Sequence, residues 1–367
     1  ACGGEAAWAG DLDILAPESL LQLINHLKGS QVLTRPEAGI DQDNQPVPPD
    51  MANIRGQESA RRALEIAAAG GHNMLMNGPP GAGKSMLAAA MPGIIPAMDA
   101  RESLEVSMIH SLAGTLPEGG LITQRPYRDP HHSASQVALI GGGNKARPGE
   151  ISLAHNGVLF LDELPEFQRT TLEALRQPLE TGQAMVARAN YHATYPAQFQ
   201  LIAAMNPCRC GYLGDPEMEC NKAPRCGQDY SAKISGPLLD RMDIQTDVPA
   251  VSIADLGSGT YGESSAEIAE RVQAVRDIQT ARYDDYAAES VRLNAQADGQ
   301  LLEQIAPLDE SARSLLNDCA EKMRLSARGY YRILRLARTI ADLERVEGAL
   351  SRQHMAEALS YRRMPGR

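Results

Sequence analysis

The chain has 367 residues, more than the roughly 250 to 300 that a single hydrophobic core usually supports, so we expect two packed domains. Hydrophobic residues make up 43% and charged residues 22%, and no run approaches the ~18 apolar residues of a membrane span, so we expect a cytoplasmic protein with no membrane partner. A net charge of −11 excludes nucleic-acid binding by a generally basic surface, so any such binding must be local.

The first 50 residues differ in composition from the rest of the chain. Residues 1–36 contain a short apolar run and an amphipathic helix that opens at Pro17-Glu18-Ser19 and continues through Leu27. We expect this segment to be the end of a domain that begins before Ala1. Residues 37–50 are rich in Pro, Gln, Asp and Asn, which predicts a linker. The main domains are therefore expected at 51–250 and 251–367.

A phosphate-binding motif opens the larger domain. A helix is predicted over Ser59–Ala69 and a buried strand over Asn73–Met76, and the motif residues come next: Gly78, Pro79, Pro80, Gly81, Ala82, Gly83, Lys84 and Ser85. Glycines let backbone N–H groups turn toward phosphates, Lys84 reaches the β- and γ-phosphates, and the Ser85 hydroxyl binds Mg²⁺. The pattern predicts an ATP-binding P-loop.

Two further buried strands are predicted at Gly157–Leu161 and Phe199–Met205, and each is succeeded by polar residues. Asp162 comes directly after the first strand and is expected to help bind Mg²⁺. Glu163 is expected to polarise the water that attacks the γ-phosphate. The alternative is a strand that ends in solvated acids.

The pattern changes from strand and helix to helix alone after Pro249. Ser264-Ser265-Ala266-Glu267 is typical of a capping box that opens a helix through Tyr283. Three more helices are predicted at Asp298–Ala306, Asp309–Met323 and Gly329–Glu344. The fold class is therefore an α/β P-loop NTPase with a parallel sheet core and a C-terminal, all-α lid domain.

Four of the six cysteines, namely Cys208, Cys210, Cys220 and Cys226, form a C-x-C-x9-C-x5-C cluster. Four thiolates in one loop with little apolar content could bind Zn²⁺, and reduced free thiols are the alternative. His131 and His132 have no cysteines or carboxylates suitably spaced nearby, so we favour a structural or pore role for them over metal binding.

Several ordered motifs together carry a resemblance to a known family. They are Arg125-Pro126-Tyr127-Arg128-Asp129-Pro130-His131-His132, then Gly141-Gly142-Gly143, then Pro148-Gly149-Glu150-Ile151-Ser152-Leu153-Ala154-His155 leading into Asp162-Glu163. The chain resembles AAA+ ATPases of the magnesium-chelatase-like group, specifically the ComM (YifB) competence protein family. The resemblance implies a helix-2 insert, a hairpin before sensor 1, and an N-terminal Lon-like domain of which 1–36 is the remnant.

The resemblance assigns roles to two residues around the sheet. Asn206 matches the sensor-1 residue that positions water or contacts the γ-phosphate, although an Asn that simply ends a strand before Pro207 is the alternative. Arg241, in Ser235-Gly236-Pro237-Leu238-Leu239-Asp240-Arg241, matches an arginine finger that reaches a neighbouring subunit's site. An ion pair with Asp240 or Asp243 is the alternative.

In the lid, Leu325-Ser326-Ala327-Arg328 resembles the sensor-2 motif, so Arg328 is expected to touch the γ-phosphate from the lid side. Arg332 and Arg335 lie on the same predicted helix and compete for this role.

The two inserted segments, Arg125–Pro148 and Thr181–Pro196, would face the pore of a ring. Their basic residues are the candidate DNA contacts, with solvated loop charges as the alternative: Arg125, Arg128, Lys145, Arg147 and Arg188.

The resemblance implies a homo-hexameric, ATP-dependent DNA motor. Such a helicase or branch-migration translocase would act on single-stranded or branched DNA in natural transformation and homologous recombination. The ATPase subunit of a magnesium chelatase and an AAA+ protein remodeller are the alternatives.

Overall fold

The computed structural model describes residues 13–34, 36, 47–116, 121–143, 146–188, 191–213, 222–251, 262–286, 288, 291–323 and 325–362; the side chains of 187, 188 and 191 are outside this description. The chain divides into two compact units. The smaller unit comprises Ala1–Val47 and Ala97–Arg125, and the larger unit comprises Pro48–Pro96 and Pro126–Arg367. The boundaries predicted from the sequence stay predictions. None of the helices in the described ranges has the length and apolar character needed to cross a membrane.

Helices and strands alternate through the first two thirds of the chain, and the last third is helical. The helices are α1 (Leu20–Leu27), α2 (Glu58–Gly70), α3 (Lys84–Ala90), α4 (Ala100–Ala113), α5 (Gln136–Ile140), α6 (Glu150–Leu153), α7 (Arg169–Ala174), α8 (Arg176–Thr181), α9 (Arg225–Ser231), α10 (Gly236–Leu239), α11 (Ser265–Asp285), α12 (Gly299–Ile305), α13 (Glu310–Met323), α14 (Ala327–Leu343) and α15 (Arg352–Ser360). The strands are β1 (Met74–Asn77), β2 (Tyr127–Arg128), β3 (Gly141–Gly142), β4 (Arg147–Pro148), β5 (Val158–Leu161), β6 (Gln183–Arg188), β7 (Tyr191–Pro196), β8 (Gln200–Met205) and β9 (Ile244–Asp247).

The smaller unit contains α1 and α4. The Ser19 hydroxyl accepts a hydrogen bond from the Gln22 N–H at the start of α1, as the predicted amphipathic helix requires. Helix α4 opens on a capping box in which Asp99 and Glu102 satisfy each other's backbone N–H groups. We did not predict α4 from the sequence, although the Asp99-x-x-Glu102 spacing is a signal for such a start.

The larger unit is built on a five-stranded, all-parallel sheet with the strand order β2-β5-β8-β1-β9. Every residue of β5 and β8 is buried, which explains why these strands are apolar runs without alternation. In register, Leu161 of β5 lies beside Ala203 of β8, and Met76 of β1 lies beside Ala204. The carboxyl ends of β1, β5 and β8 therefore meet at one edge of the sheet.

Two antiparallel ribbons lie outside this sheet. The first, β3 with β4, separates the short helices α5 and α6, as expected of an insert within one helix. The second, β6 with β7, pairs Gln183 with Pro196 and directly precedes β8, as expected of a hairpin before sensor 1.

The lid packs its helices against α2. Helix α11 begins at the predicted capping box, since Ser264 and Glu267 satisfy each other's backbone N–H groups. The Arg276 guanidinium donates to the Ala68 carbonyl at 2.6 Å, and the Gln279 amide donates to the Ala69 carbonyl at 3.1 Å. These side chains satisfy carbonyls in the last turn of α2, where a cation is also electrostatically favourable. The structure adds α15, which we did not predict from the sequence.

Candidate nucleotide site and arginine pair

The P-loop connects the end of β1 to the start of α3. Gly83 lies at φ 87°, in the left-handed region that favours glycine, and it is the residue from which α3 begins. The Lys84 Nζ donates to the Gly78 carbonyl at 2.6 Å and to the Pro79 carbonyl at 2.8 Å. Burial lowers the pKa of Lys84, and nearby carboxylates oppose this shift. The Lys84 ammonium therefore binds carbonyls of the P-loop itself, the same loop in which it is expected to bind phosphate.

Asn206 joins this cluster from the next strand. It comes directly after the last residue of β8, and its Oδ1 accepts a hydrogen bond from the Lys84 Nζ at 3.1 Å. The predicted sensor-1 residue is thus within hydrogen-bond distance of the P-loop lysine, because β8 is the direct neighbour of β1 in the sheet.

Ser85 and Asp162 form the second part of the cluster. The Ser85 Oγ donates to the Asp162 Oδ2 at 2.9 Å, and Asp162 comes directly after the last residue of β5. A hydroxyl and a carboxylate this close supply the hard oxygen ligands that Mg²⁺ prefers in nucleotide sites. The residues present fit the ion that the motif implies.

Glu163 has an unusual backbone conformation at the edge of this cluster. Its φ of 49° is left-handed, and its N–H donates to its neighbour Asp162 at 2.8 Å. Left-handed backbone at a non-glycine residue is strained and is concentrated at functional sites. Its Oε2 lies 3.1 Å from the Nδ1 of His132.

The segment after β2 brings residues to the site that we did not assign there from the sequence. The His132 ring lies 4.1 Å from the ring of His131 and 6.5 Å edge-on from that of Phe167. Asp129 lies at the surface, yet its partial desolvation together with the charge of Asp162 raises its pKa. The string Asp129-Pro130-His131-His132 was visible in the sequence, but nothing local in it indicates a contact with Glu163. The contact with Glu163 is compatible with the structural role expected for His132, and a pore role stays a prediction.

Arg241 lies outside this cluster and is almost fully buried. Its side chain is 6% exposed, its Nη1 donates to the Pro237 carbonyl at 2.7 Å, and its Nη2 binds the Glu180 carboxylate. The ion pair considered from the sequence involved Asp240 or Asp243, and the structure shows Glu180 instead. No sequence signal marked Glu180, because its partner is 61 residues away.

Arg328 contacts the same carboxylate. It lies in the first turn of α14, its side chain is 68% exposed, and its Nη1 is 3.7 Å from the Glu180 Oε1. The structure therefore groups Arg328 with Arg241, whereas we expected it beside the phosphates bound by its own P-loop. Its competitors have other partners, since Arg332 faces Asp243 at 3.4 Å and Arg335 faces a lid aspartate at 3.1 Å.

The five candidate DNA contacts fall into three groups: two are paired with carboxylates, one is exposed and two lie outside the description. Arg125 pairs with Glu102 at 3.0 Å, and Arg128 forms two bonds of 2.6 and 2.9 Å with Glu150, so both guanidiniums have carboxylate partners within the chain and neither is a solvated loop charge. Their contact with DNA stays a prediction. Arg147 is exposed in β4. The other two candidates lie outside the description, Lys145 entirely and Arg188 in its side chain.

The cysteine loop packs against the P-loop. A Cβ added to Gly211, at φ 89°, would lie 2.6 Å from the Cδ of Pro80. The Cys208 and Cys210 Sγ atoms are 3.0 Å apart. Burial acts to raise the pKa of the Cys208 thiol, but hydrogen bonds from the Cys210 thiol and three backbone N–H groups outweigh burial, so the pKa of Cys208 is lowered. Cys226 lies in α9, and Cys220 is outside the described residues. Within the described ranges, no three His, Cys, Asp or Glu side chains are arranged to bind a metal, so zinc stays a prediction.

Known proteins resemble the chain in two adjoining parts. Residues 50–256 match the family described as magnesium chelatase, subunit ChlI, and residues 262–362 match its C-terminal family. The chain is 42% identical to the competence protein ComM of Haemophilus influenzae over 98% of this chain and 70% of that protein. It is 44% identical to the protein YifB of Salmonella typhimurium, over 92% of this chain and 64% of that protein. A 38 kDa magnesium-chelatase subunit of Rhodobacter capsulatus is 28% identical over 84% of this chain and 86% of that protein. The chain thus spans about two thirds of the length of its ComM and YifB relatives.

Proposed function

The chain belongs to the ComM/YifB family of magnesium-chelatase-like AAA+ proteins, and we propose that it is an ATPase that assembles into a ring and moves along DNA. The observation that carries this proposal is the division of the candidate catalytic side chains into two groups. One group surrounds the P-loop, and the other is the pair Arg241 and Arg328 on Glu180. A site divided in this way needs a second copy of the chain for completion.

The P-loop group would bind and orient the nucleotide. Lys84 would exchange its bonds to the two P-loop carbonyls for bonds to the β- and γ-phosphates. Ser85 and Asp162 would hold Mg²⁺, which neutralises charge on the phosphates when bound. Asn206 would orient the attacking water from the end of β8, and Glu163 would accept its proton.

The His132 contact bears on the last of these roles. The Glu163 Oε2 lies against the His132 ring, so this oxygen is already occupied by a contact within the chain. Glu163 must therefore leave His132 before it can act on water, and its half-exposed side chain leaves room for that movement.

The arginine group would act on the nucleotide of a neighbouring copy. A planar guanidinium matches the charge that spreads over the transferring phosphoryl group. Because Arg241 and Arg328 share one carboxylate, we assign both to the same subunit interface. This assignment revises the expectation that Arg328 completes its own chain's site. Head-to-tail contacts of this kind close into rings, and we propose a homo-hexamer.

The proposed substrate of this ring is DNA, either a single strand or a branched structure, which would pass through the pore. The proposed location of the protein is the cytoplasm. The ribbons β3–β4 and β6–β7 would face the DNA, and Arg147, exposed in β4, would contact its phosphate backbone. Lys145 and Arg188 stay candidates from the sequence. Arg125 and Arg128 would support their own segments through the ion pairs with Glu102 and Glu150. The name of the Haemophilus relative, competence protein, favours the uptake and recombination of DNA as the context.

The test is the ATPase rate with and without single-stranded or forked DNA over a range of salt concentrations, together with unwinding of forked DNA. Stimulation that falls steeply with salt is expected. Arg147→Ala should weaken the stimulation. The control Arg101→Ala removes an exposed arginine elsewhere, in α4, and should leave the stimulation unchanged. A wild-type ATPase that ignores every DNA tested contradicts the DNA motor.

The alternative is the ATPase subunit of a magnesium chelatase, which the 28% identity to the Rhodobacter subunit favours. It predicts an ATPase that responds to a porphyrin-binding partner protein and is indifferent to DNA.

A further inference from the structure

Glu180 contacts both arginines of the proposed interface. It lies in the last turn of α8, half exposed, with its Oε1 against the Nη2 of Arg241 and 3.7 Å from the Nη1 of Arg328. The two guanidiniums come from different parts of the fold, the turn after α10 and the first turn of the lid helix α14. Glu180 therefore links the sheet domain to the lid at this point.

In this arrangement Arg241 is turned into its own chain. Its side chain is 6% exposed, one Nη is bound to the Pro237 carbonyl and the other to Glu180. Its Nε is buried without a hydrogen-bond partner among the described residues. An arginine that reaches a phosphate in another subunit must expose its guanidinium, so the bond to Glu180 has to break first. A γ-phosphate carries more negative charge than one carboxylate and can replace it.

Glu180 also lies at the base of the β6–β7 ribbon. Thr181, the next residue, donates its hydroxyl to the Gln177 carbonyl at 3.0 Å and accepts the Gln183 N–H at 3.3 Å. Gly182 donates its N–H to the Pro178 carbonyl at 2.8 Å, and its own carbonyl accepts the Ala197 N–H at the same distance. Hydrogen bonds of 2.8 to 3.3 Å thus join the last turn of α8 to the first residue of β6 and to the residue that follows β7. A displacement of the ribbon would therefore have only three residues to cross, from Gln183 to Glu180.

We propose that Glu180 is a positioning residue that holds Arg241 and Arg328 in their own chain and releases them to a neighbour's nucleotide when DNA displaces the β6–β7 ribbon. This inference rests on the proposed ring ATPase and adds its regulation. Without DNA the arginines stay paired with Glu180 and hydrolysis is slow, because the neighbouring site lacks its finger. With DNA the ribbon moves, the pairing weakens and the guanidiniums become available.

The test compares Glu180→Gln with wild type in steady-state ATPase assays. The amide keeps the size of the side chain and removes its charge, so kcat without DNA should rise about three- to tenfold, the effect of weakening one hydrogen bond to a charged group. The KM for ATP should stay within about twofold, because the described contacts of Glu180 are with the arginines and not with the P-loop group. Stimulation by DNA should shrink correspondingly. Glu180→Asp keeps the charge and should behave more like wild type.

Two controls separate this mechanism from a general effect on folding or charge. Glu105→Gln removes a carboxylate that pairs with Arg101 one turn earlier in α4, and it should leave kcat unchanged. In the double variant Glu180→Gln with Arg241→Ala, the gain in kcat should disappear, because the gain requires the finger. A DNA-free kcat that is unchanged or lower in folded Glu180→Gln overturns the inference, as does a gain that persists without Arg241. A wild type with no ATPase activity refutes the proposed function instead.

Discussion

The assignment of Arg241 to a neighbour's site predicts the behaviour of mixed assemblies. Lys84→Ala removes the ammonium that we propose to bind the phosphates in its own chain, and Arg241→Ala removes the finger that we propose for the next chain. Each variant alone should form rings that do not hydrolyse ATP. Lys84→Ala lacks the phosphate-binding ammonium, and loss of an arginine finger lowers kcat by roughly a thousandfold or more. In a ring built from one variant alone, every interface carries the same defect.

Loss of the fold does not explain the expected inactivity of Arg241→Ala. The arginine is buried, but its partner Glu180 is 51% exposed and remains solvated when the arginine is removed. The lost packing of the buried side chain and its bond to the Pro237 carbonyl should cost about 2 to 3 kcal/mol, less than the roughly 5 to 15 kcal/mol that stabilises a domain. A thermal melt of each variant checks this before the kinetics are interpreted.

An equimolar mixture of the two variants should regain activity. An interface works when the chain that binds ATP keeps Lys84 and the neighbour keeps Arg241, which random mixing gives at about one quarter of the interfaces of a head-to-tail ring. Turnover by the mixed rings should therefore approach about one quarter of the wild-type rate. A mixture that stays at background, under conditions where mixed assembly is demonstrated by cross-linking, refutes the assignment in trans. The same mixture made with Arg328→Ala tests whether the lid arginine acts across the same interface.

Three further changes probe separate parts of the molecule. Glu163→Gln should bind ATP with wild-type affinity but hydrolyse it at least about a hundredfold more slowly; nucleotide binding by calorimetry and turnover separate the two effects, and a full rate contradicts its role as the base. Burial would raise the pKa of Asp243, but its contacts with His72 and Arg332 hold that pKa below its ordinary value of 3.8. The stabilisation from the ionised carboxylate is therefore present above about pH 4 and is lost as the pH falls through the lowered pKa. Asp243→Asn should flatten the acid side of a curve of unfolding free energy against pH. If the cysteine loop binds zinc, elemental analysis should find about one zinc per chain, Cys208→Ser should lose it and chelation should lower the melting temperature; metal-free protein with four titratable thiols in the loop excludes the site.

The chemistry around the P-loop could be predicted from the sequence because each part is a contiguous pattern with a fixed local geometry. The P-loop places Lys84 and Ser85 at the start of α3, and a buried strand places Asp162 at its carboxyl end. The parallel order of β5, β8 and β1 then brings Asn206 beside Lys84, as the bond of 3.1 Å shows. The capping box at Ser264 similarly predicted the start of the lid. Local hydrogen bonding and strand direction are encoded over a few residues.

Tertiary structure alone decided which charges meet. Glu180 binds Arg241 over a separation of 61 residues and approaches Arg328 from the lid, and His132 lies beside Glu163 after β2 has joined the sheet at β5. Arg125 and Arg128 look like free loop cations in the sequence, yet each has a carboxylate partner. A charged residue carries no local signal for its partner, because the partner depends on how the elements pack. The sequence by itself indicated a phosphate-binding loop and its neighbouring polar residues, and the packing determined that Arg241 and Arg328 meet at Glu180.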